Sequence, residues 1–415
     1  MPLRRHHITL PTSMAGIILL LGSMTAIGAI SGDIYLPAMP AIAHDLQCSN
    51  ALVQVTVAAT LLGGAIGQLL IGPISDMLGR RSPAMVGIAI HIVASGAVLF
   101  APNIWVLLAL RCLQGIGNAS GQVIATSVVR DLYQGSKAAR LMSQLVLLIG
   151  VAPLFAPTLG SWLSYQFGWR SNFTFLTLIG LALEIAMAVK LEDTLAPESR
   201  AHGRLTSVFS SFKVLARDRR FLALAAIPGL GQSVMMTWVS SSSFLLLEHY
   251  KVSTWAYPLL FACGGICSVA GAQLNAHLVK LRSPAIPLRA ATPLSFLFSL
   301  VALVLALTHT GGLFGLLLPL WAIIFCDGMV MANATALAMT RHGEIAGAAA
   351  ALIGTAQTLS TGVVVTIVSF VGGTQIVMTT VIACCLGLIM AILLGGTTVY
   401  RRRFPQDASG PHPKN

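Results

Sequence analysis

Charge is what this sequence has least of. Only 9% of its 415 residues are Asp, Glu, Lys or Arg, against about 25% in an ordinary soluble domain. With 56% hydrophobic residues and a mean hydropathy of +0.83, the chain has more apolar surface than a water-soluble fold of this length can hide. A bilayer accommodates it, because each span needs about 20 apolar residues and no polar exterior. Acidic residues are scarcer still, 13 against 25 Lys and Arg, for a net charge of +12. The basic residues form no stripe on a soluble domain. They sit in short stretches between apolar runs, which excludes a nucleic-acid partner and matches membrane topology.

Other absences narrow the chemistry. Of the seven cysteines, only Cys48 lies in a loop, and none has the paired spacing of a zinc site or a disulfide framework. No metal is expected. No GxxxxGK[ST] phosphate loop occurs, so ATP does not drive work by this chain alone. There are no paired catalytic carboxylates and no nucleophile elbow, so no catalytic residues, no enzyme activity and no cofactor are expected. Energy would come from an ion gradient.

What is present is length without charge. Apolar runs fall at about 14–36, 52–73, 82–100, 104–126, 140–163 and 169–190, then at about 219–244, 255–279, 285–308, 312–337, 345–370 and 374–399. The fold class is therefore all-α integral membrane, with twelve transmembrane helices in two six-helix bundles. The basic start at Met1 to His7 followed by apolar sequence reads as an uncleaved first span rather than a secretory signal. The expected organisation is an N-terminal bundle over 1–190, a polar cytoplasmic linker over 191–218, a C-terminal bundle over 219–400 and a cytoplasmic tail over 401–415. If the N-terminus is cytoplasmic, that side holds twenty-two Lys and Arg, the other side has only Arg170 and Lys251, and Arg111 lies inside a span. Both termini are thus expected in the cytoplasm. Trp105, Trp162, Trp169 and Trp255 fall near outer span ends, where indoles prefer the interface. Arg81-Ser82-Pro83 recurs as Arg282-Ser283-Pro284, 201 positions on, with Gly72 and Gly271 upstream. This faint repeat fits two related halves.

Several residues carry chemistry. Gly72-Pro73-Ile74-Ser75-Asp76-Met77-Leu78-Gly79-Arg80-Arg81 joins spans 2 and 3; its glycines allow a tight turn and Asp76 can pair with the arginines or face a positive helix N-terminus. Arg111-Cys112-Leu113-Gln114-Gly115-Ile116-Gly117 puts a cation inside span 4, at a cost of about 3 kcal/mol. Arg111 either faces a cavity or partner, or snorkels. Span 5 carries Gly150, Pro153, Pro157 and Gly160, a density that weakens a helix and demands support from its neighbours.

These segments resemble the major facilitator superfamily. The first is similar to its G-x-[LIV]-[SA]-D-R-x-G-[RK]-[RK] signature, with Met77 where a basic residue is usual. The second is similar to the R-x-x-Q-G-x-G pattern that the superfamily links to proton coupling. The third resembles its antiporter motif G-P-x-x-G, with Ala156 for the first Gly. Asp33-Ile34-Tyr35-Leu36-Pro37-Ala38-Met39-Pro40 resembles the D-x-Y-L-P-A-x-P signature of the Bcr/CflA branch of bacterial drug:proton antiporters. Val129 to Tyr133, Gly168-Trp169-Arg170 and Asn333 to Ala338 add family-like pieces. The resemblance implies a bacterial inner-membrane exporter of chloramphenicol- or bicyclomycin-type compounds, run by the proton gradient, monomeric, with small molecules, protons and lipid as its partners.

Asp33 is the best proton carrier, because a carboxylate in a low-dielectric cavity disfavours its charged form and can load and release a proton near neutral pH. Residue counting alone also allows it at the outer interface. Arg111 is its expected counter-charge. Asp327 lies mid-span in span 10, where the C-terminal half offers no intramembrane Lys or Arg; it is protonated, water-exposed or a contact for a cationic group. Glu184, within two turns of the cytoplasmic end of span 6, reads as structural and able to reach the interface, and His91 as a hydrogen-bonded packing residue, alternatively a proton relay. Tyr35, Gln114, Asn118, Trp238, Asn333 and Gln357 are candidates for the substrate cavity, each alternatively a packing or interhelical residue. The competing functions are a facilitative or proton-coupled carrier of a metabolite on the same fold, and a non-transporting membrane sensor.

Overall fold

The computed structural model describes residues 14–133, 135–195, 213–281, 283–340 and 346–396. Among them run twelve helices of 17 to 33 residues. The first six are α1 (Met14–Asp33), α2 (Asn50–Leu78), α3 (Arg81–Val98), α4 (Ile104–Leu132), α5 (Gly135–Phe167) and α6 (Arg170–Lys190). The second six are α7 (Arg219–Ser243), α8 (Ala256–Leu281), α9 (Ala285–Leu307), α10 (Gly312–Met339), α11 (Ala346–Val371) and α12 (Gln375–Ala391). Ten are long and apolar enough to cross a membrane by length and composition. The other two are α4, whose middle carries Arg111, Gln114, Asn118 and Gln122, and α5.

Each expected apolar run meets a helix. Several helices run further, α2 past Pro73 to Leu78 and α4 to Leu132, because backbone hydrogen bonding continues where the hydrocarbon ends. Side-chain oxygens cap the starts: Ser49 accepts from the Leu52 amide at 3.4 Å, Asn103 from Val106 at 3.1 Å and Thr374 from Val377 at 3.3 Å. Between α1 and α2 the chain turns through a 3-10 turn, Leu36–Ala38, and a short helix, Met39–Asp45. The linker expectation falls largely on residues 196–212, outside the described residues, as do Arg282, Arg341 and both tails.

Backbone-to-backbone packing sets the frame. A Cβ added at Gly63 of α2 would strike the Cys112 carbonyl of α4, and one at Gly115 would strike the Thr60 carbonyl and lie 2.9 Å from the Gly64 nitrogen. The second half repeats this crossing. At Gly271 of α8 a Cβ would strike the Phe325 carbonyl, and at Gly328 of α10 it would lie 3.1 Å from the Ser268 carbonyl and 3.2 Å from the Ala272 nitrogen. Gly63 to Gly271, Thr60 to Ser268 and Gly64 to Ala272 are each 208 positions, while Cys112 to Phe325 and Gly115 to Gly328 are each 213. The internal repeat is therefore real, but its register differs from the tripeptide's. Arg81 opens α3 and Pro284 precedes α9, so those ends do correspond. Gly72, by contrast, faces open space while Gly271 is a crossing point.

The two sets of six helices meet chiefly at the face opposite that where α1 begins and α12 ends. There Asn50 Nδ2 donates to Glu248 at 2.8 Å, Ser161 Oγ reaches the Thr254 carbonyl at 3.5 Å, and the Tyr165 and Trp255 rings lie 6.0 Å apart. Along the α2–α11 seam the polar contacts end at Thr358 Oγ1, 3.4 Å from Gln68 Oε1. Among the described residues no hydrogen bond joins the halves nearer the termini face. Trp105, Trp162 and Trp255 are exposed as interface residues should be. Trp169 is instead buried, its Nε1 donating to Asp45 at 3.1 Å and its ring under the Arg170 guanidinium. Its place at a span end reflects this local cluster rather than a lipid contact.

Candidate functional site

Asp33 is the last residue of α1 and is buried, with 8% of its surface exposed. Among the described residues it has no hydrogen bond and no ion pair. Arg111 of α4 is buried too, at 1%, yet the two are not partners. The cause is helical spacing. Arg111 Nη1 donates to the Ser31 carbonyl at 3.2 Å and its guanidinium lies 4.2 Å over the Tyr35 ring. Ser31 and Tyr35 stand four residues apart on one side of the segment, and Asp33, two from each, points to the other.

Arg111 instead anchors a closed circuit of hydrogen bonds across α1, α3 and α4. It donates to Gln114 Oε1, Gln114 Nε2 donates to Ser95 Oγ at 2.7 Å, and Ser95 Oγ lies 3.5 Å from His91 Nε2. His91 Nδ1 is 2.7 Å from Asn118 Oδ1, and Asn118 Nδ2 donates to Ser31 Oγ at 3.3 Å. These directions agree with one another when the imidazole is neutral with its proton on Nδ1. The Phe173 ring, 5.8 Å from the guanidinium, and the hydroxyl of Tyr35, 2.9 Å from Thr56 Oγ1, complete the cage. A desolvated cation over an aromatic face is held by about 2 kcal/mol per ring contact, which lets Arg111 stay buried without a carboxylate. Gly115 and Gly117 permit the helix contacts that bring the circuit together, Gly117 admitting the Gly87 carbonyl and the His91 nitrogen.

Asp33 faces the second half. Three residues on, the Leu36 carbonyl accepts from Ser243 Oγ of α7. Ser243 Oγ lies 3.3 Å and Ser242 Oγ 3.0 Å from the Tyr257 hydroxyl of α8. Tyr257 is buried and within electrostatic reach of Asp33. The unpartnered acid thus sits beside the seal between the halves. Neither Ser243 nor Tyr257 was singled out from the sequence; the run Ser240 to Ser243 in an apolar span was the available signal. Ser243→Ala is expected to remove about 1 kcal/mol from the seal, roughly a fivefold change in population. Labelling of a single cysteine placed at Leu36, whose side chain is fully buried here, should accelerate accordingly; unchanged labelling would sink the assignment.

Of the span 5 motif, Pro157 is buried, and Gly160 lies against the Ile34 carbonyl, where a Cβ would collide. That contact fixes α5 beside Asp33. The side chains around Gly150 and Pro153 lie outside the described residues.

At the termini face the loop motif forms a clasp. Arg80 donates to Asp76 at 2.5 Å, to Asp131 at 2.8 Å and to Ser75 Oγ at 2.8 Å, while its backbone nitrogen donates to Asp193 at 2.8 Å. Gly79, at φ +93°, turns the chain against the Asp193 carboxylate, and Arg81 donates to the Ala188 carbonyl at 2.7 Å. Burial alone would lower the Arg80 pKa, but the carboxylates of Asp131 and Asp76 raise it above its ordinary value. Met77 is exposed and takes no part. Asp131 and Asp193, far from Arg80 along the chain, tie α4 and the end of α6 to this loop. Arg80→Ala is expected to cost about 2 kcal/mol, seen as a lower unfolding temperature in detergent.

In the second half Asp327 of α10 is buried, its Oδ1 has no hydrogen-bond partner among the described residues, and it lies 2.6 Å from where a Cβ on Gly231 of α7 would stand. Asn333 Nδ2 donates to Asn275 Oδ1 at 2.6 Å and to the Met329 carbonyl at 2.8 Å. Gln357 Nε2 reaches Gln232 Oε1 at 3.4 Å. Trp238 packs in the buried core. Of the six cavity candidates, Tyr35, Gln114 and Asn118 share the Arg111 circuit, whereas Trp238, Asn333 and Gln357 lie in separate contacts.

Known proteins agree with this architecture. The Major Facilitator Superfamily profile matches residues 21–365. The MFS-type transporter YdgK of Bacillus subtilis is 33% identical over 337 residues, 81% of this chain and 84% of that one. Multidrug resistance protein D of Escherichia coli is 28% identical over 84% of this chain and 86% of its own length. A bicyclomycin resistance protein homolog of Haemophilus influenzae is 26% identical over 82% and 85%. Among solved structures, a D-xylose-proton symporter superposes with a TM-score of 0.75 over 93% of this chain and 97% of that one at 14% identity, which speaks for the fold. The chain belongs to the Major Facilitator Superfamily: it is a multi-pass membrane transporter.

Proposed function

We propose that the protein exports small amphiphilic compounds in exchange for protons, as a drug:proton antiporter of the Bcr/CflA branch. Asp33 carries the proton. The observation that carries this reading is a buried carboxylate without a partner among the described residues, set beside the seam between the halves. Taking up a proton there removes an uncompensated charge; losing it favours opening of the seam to water. Arg111 and its circuit hold α1, α3 and α4 in register and keep a fixed positive potential behind Asp33. Relatives named for multidrug and bicyclomycin resistance support the substrate class.

The domains are bundles over 1–190 and 219–400 joined by a linker over 191–218, with a tail over 401–415. Both termini are cytoplasmic, as the twenty-two against two distribution of Lys and Arg supports. The seal through Leu36 and Ser243 then lies on the outer side, and the conformation is inward-facing. The Asp76–Arg80 clasp serves as the cytoplasmic gating loop, Gly115 and Gly117 as crossing points, and the Gly and Pro of α5 as the antiport element. The transporter works as a monomer in a bacterial inner membrane, without a cofactor.

The test is quenching of a pH dye in inverted vesicles on adding chloramphenicol or bicyclomycin. Proton movement with at least one compound is expected. Demonstrable flux with no proton movement would turn the reading to a facilitative carrier.

A further inference from the structure

Between α1 and α6 lies a groove of about 440 Å³, the size of a small-molecule site. Gly16, Ser23 and Ala26 line it from α1, and Ala182 and Ala186 from α6. These small side chains stand one or two turns apart, so they hollow a channel along the helices rather than a round pit. From Gly16 to Ile30 it runs about 21 Å along α1, against about 15 Å of hydrocarbon in one leaflet. Leu19 on its lip is 71% exposed, so the groove opens on the lipid-facing side. Its only polar side chains are Ser23 midway and Lys190 at one end. Lys190 closes α6 at the face where α1 begins. Among the described residues its ammonium has no ion pair; the pairs there belong to Arg80 and Arg170. Of the acids near it in sequence, Glu184 lies off the groove and Glu192 is engaged elsewhere.

An empty slot of this length forfeits dispersion contacts along both walls. Water does not fill it, since one hydroxyl midway falls short of the about two to four polar partners a buried water needs. The occupant is therefore long, flexible and apolar, and its one charge is negative and sits at Lys190. We propose that the groove is a specific site for an anionic phospholipid, with an acyl chain laid between α1 and α6 and the headgroup phosphate on the Lys190 ammonium. The groove is long enough for a whole acyl chain. The lysine stem follows its end while the charge reaches the interface. In the orientation proposed above, the lipid comes from the inner leaflet. The site goes beyond the export reading and stands without it.

The purified full chain in detergent is titrated with dioleoyl phosphatidylglycerol or dioleoyl phosphatidylcholine, which share their acyl chains and differ in net charge. Native mass spectrometry counts the lipid retained on each protein. One phosphatidylglycerol is expected to bind about fivefold more tightly than phosphatidylcholine. Lys190→Gln should erase that preference, and Lys190→Arg should keep it. Ala186→Phe, which fills the groove, should weaken retention of both lipids by about fivefold or more. Should that variant fail to fold, Lys190→Gln, at an exposed helix end, carries the test. Equal retention of the two lipids by wild type, or a preference that survives Lys190→Gln, overturns the site and leaves the export reading intact. Displacement of the bound phosphatidylglycerol by chloramphenicol also overturns it, by giving the groove to a cargo molecule.

Discussion

Asp33→Asn is expected to collapse the substrate gradient sustained by energised vesicles from about a hundredfold to near unity. The wild-type figure follows from one proton per cycle, worth about 2.3 kcal/mol at a potential of about 100 mV plus about 0.4 kcal/mol at a pH difference of about 0.3. An amide of the same shape takes up no proton. Because Asp33 has no hydrogen bond or ion pair to lose among the described residues, the substitution leaves the folded yield and substrate binding in place. The loss therefore falls on coupling alone. Accumulation of chloramphenicol in inverted vesicles reads it, and a variant that keeps the full gradient would falsify the role given to Asp33.

Gly115→Val is expected to abolish accumulation of folded protein. A Cβ there strikes the Thr60 carbonyl, and backbone cannot swing aside as a side-chain end can. Overpacking in a filled core costs about 1–3 kcal/mol, and a branched side chain between two helix backbones sits at or above the top of that range. Gly328→Val, at the matching crossing, should be milder because its nearest atom is 3.1 Å away. Gly72→Ala, facing open space, should be neutral or stabilise by about 0.5–1 kcal/mol, since alanine restricts the unfolded chain and favours the helix. Size-exclusion profiles and thermal unfolding of the three variants give the ranking directly; a harmless Gly115→Val would mean that α2 and α4 do not cross at this point.

The spans were legible in the sequence because a bilayer filters residues by polarity, and every apolar run from 14 onward meets a helix. So was the importance of Arg111, since a cation in an apolar run needs an explanation. Its partner was not. Pairing Asp33 with Arg111 follows from charge alone, whereas the helix puts Ser31 and Tyr35 on the arginine's side and turns Asp33 away. The repeat was visible in Arg81-Ser82-Pro83, but a tripeptide at a helix start says nothing about register inside the bundle. That register comes from which glycine meets which carbonyl, at Gly63 and Gly271. The Arg80 clasp was half legible: Asp76 lies one turn before it, while Asp131 and Asp193 arrive from distant helices. The seal at Ser243 was hidden because its acceptor is a backbone carbonyl, which leaves no mark in the residue at position 36.

The glycine contacts have one more consequence. Inside each half, the crossing glycines Gly63, Gly115 and Gly271 leave no room for a methyl group. Along the α2–α11 seam the fit is looser, with 3.9 Å from the Gly64 Cβ position to Thr358, 3.6 Å from that of Gly354 to Gln68 and 3.7 Å from that of Gly362 to the Ala58 carbonyl. Stiffness and slip are thus assigned to different glycines. The interlocked ones make each half resist deformation, and the spaced ones act as a bearing surface on which one half can roll over the other without unpacking. Mechanical compliance is concentrated in the seam, so a larger residue at Gly64 or Gly362 acts as a brake on turnover in a protein that still folds.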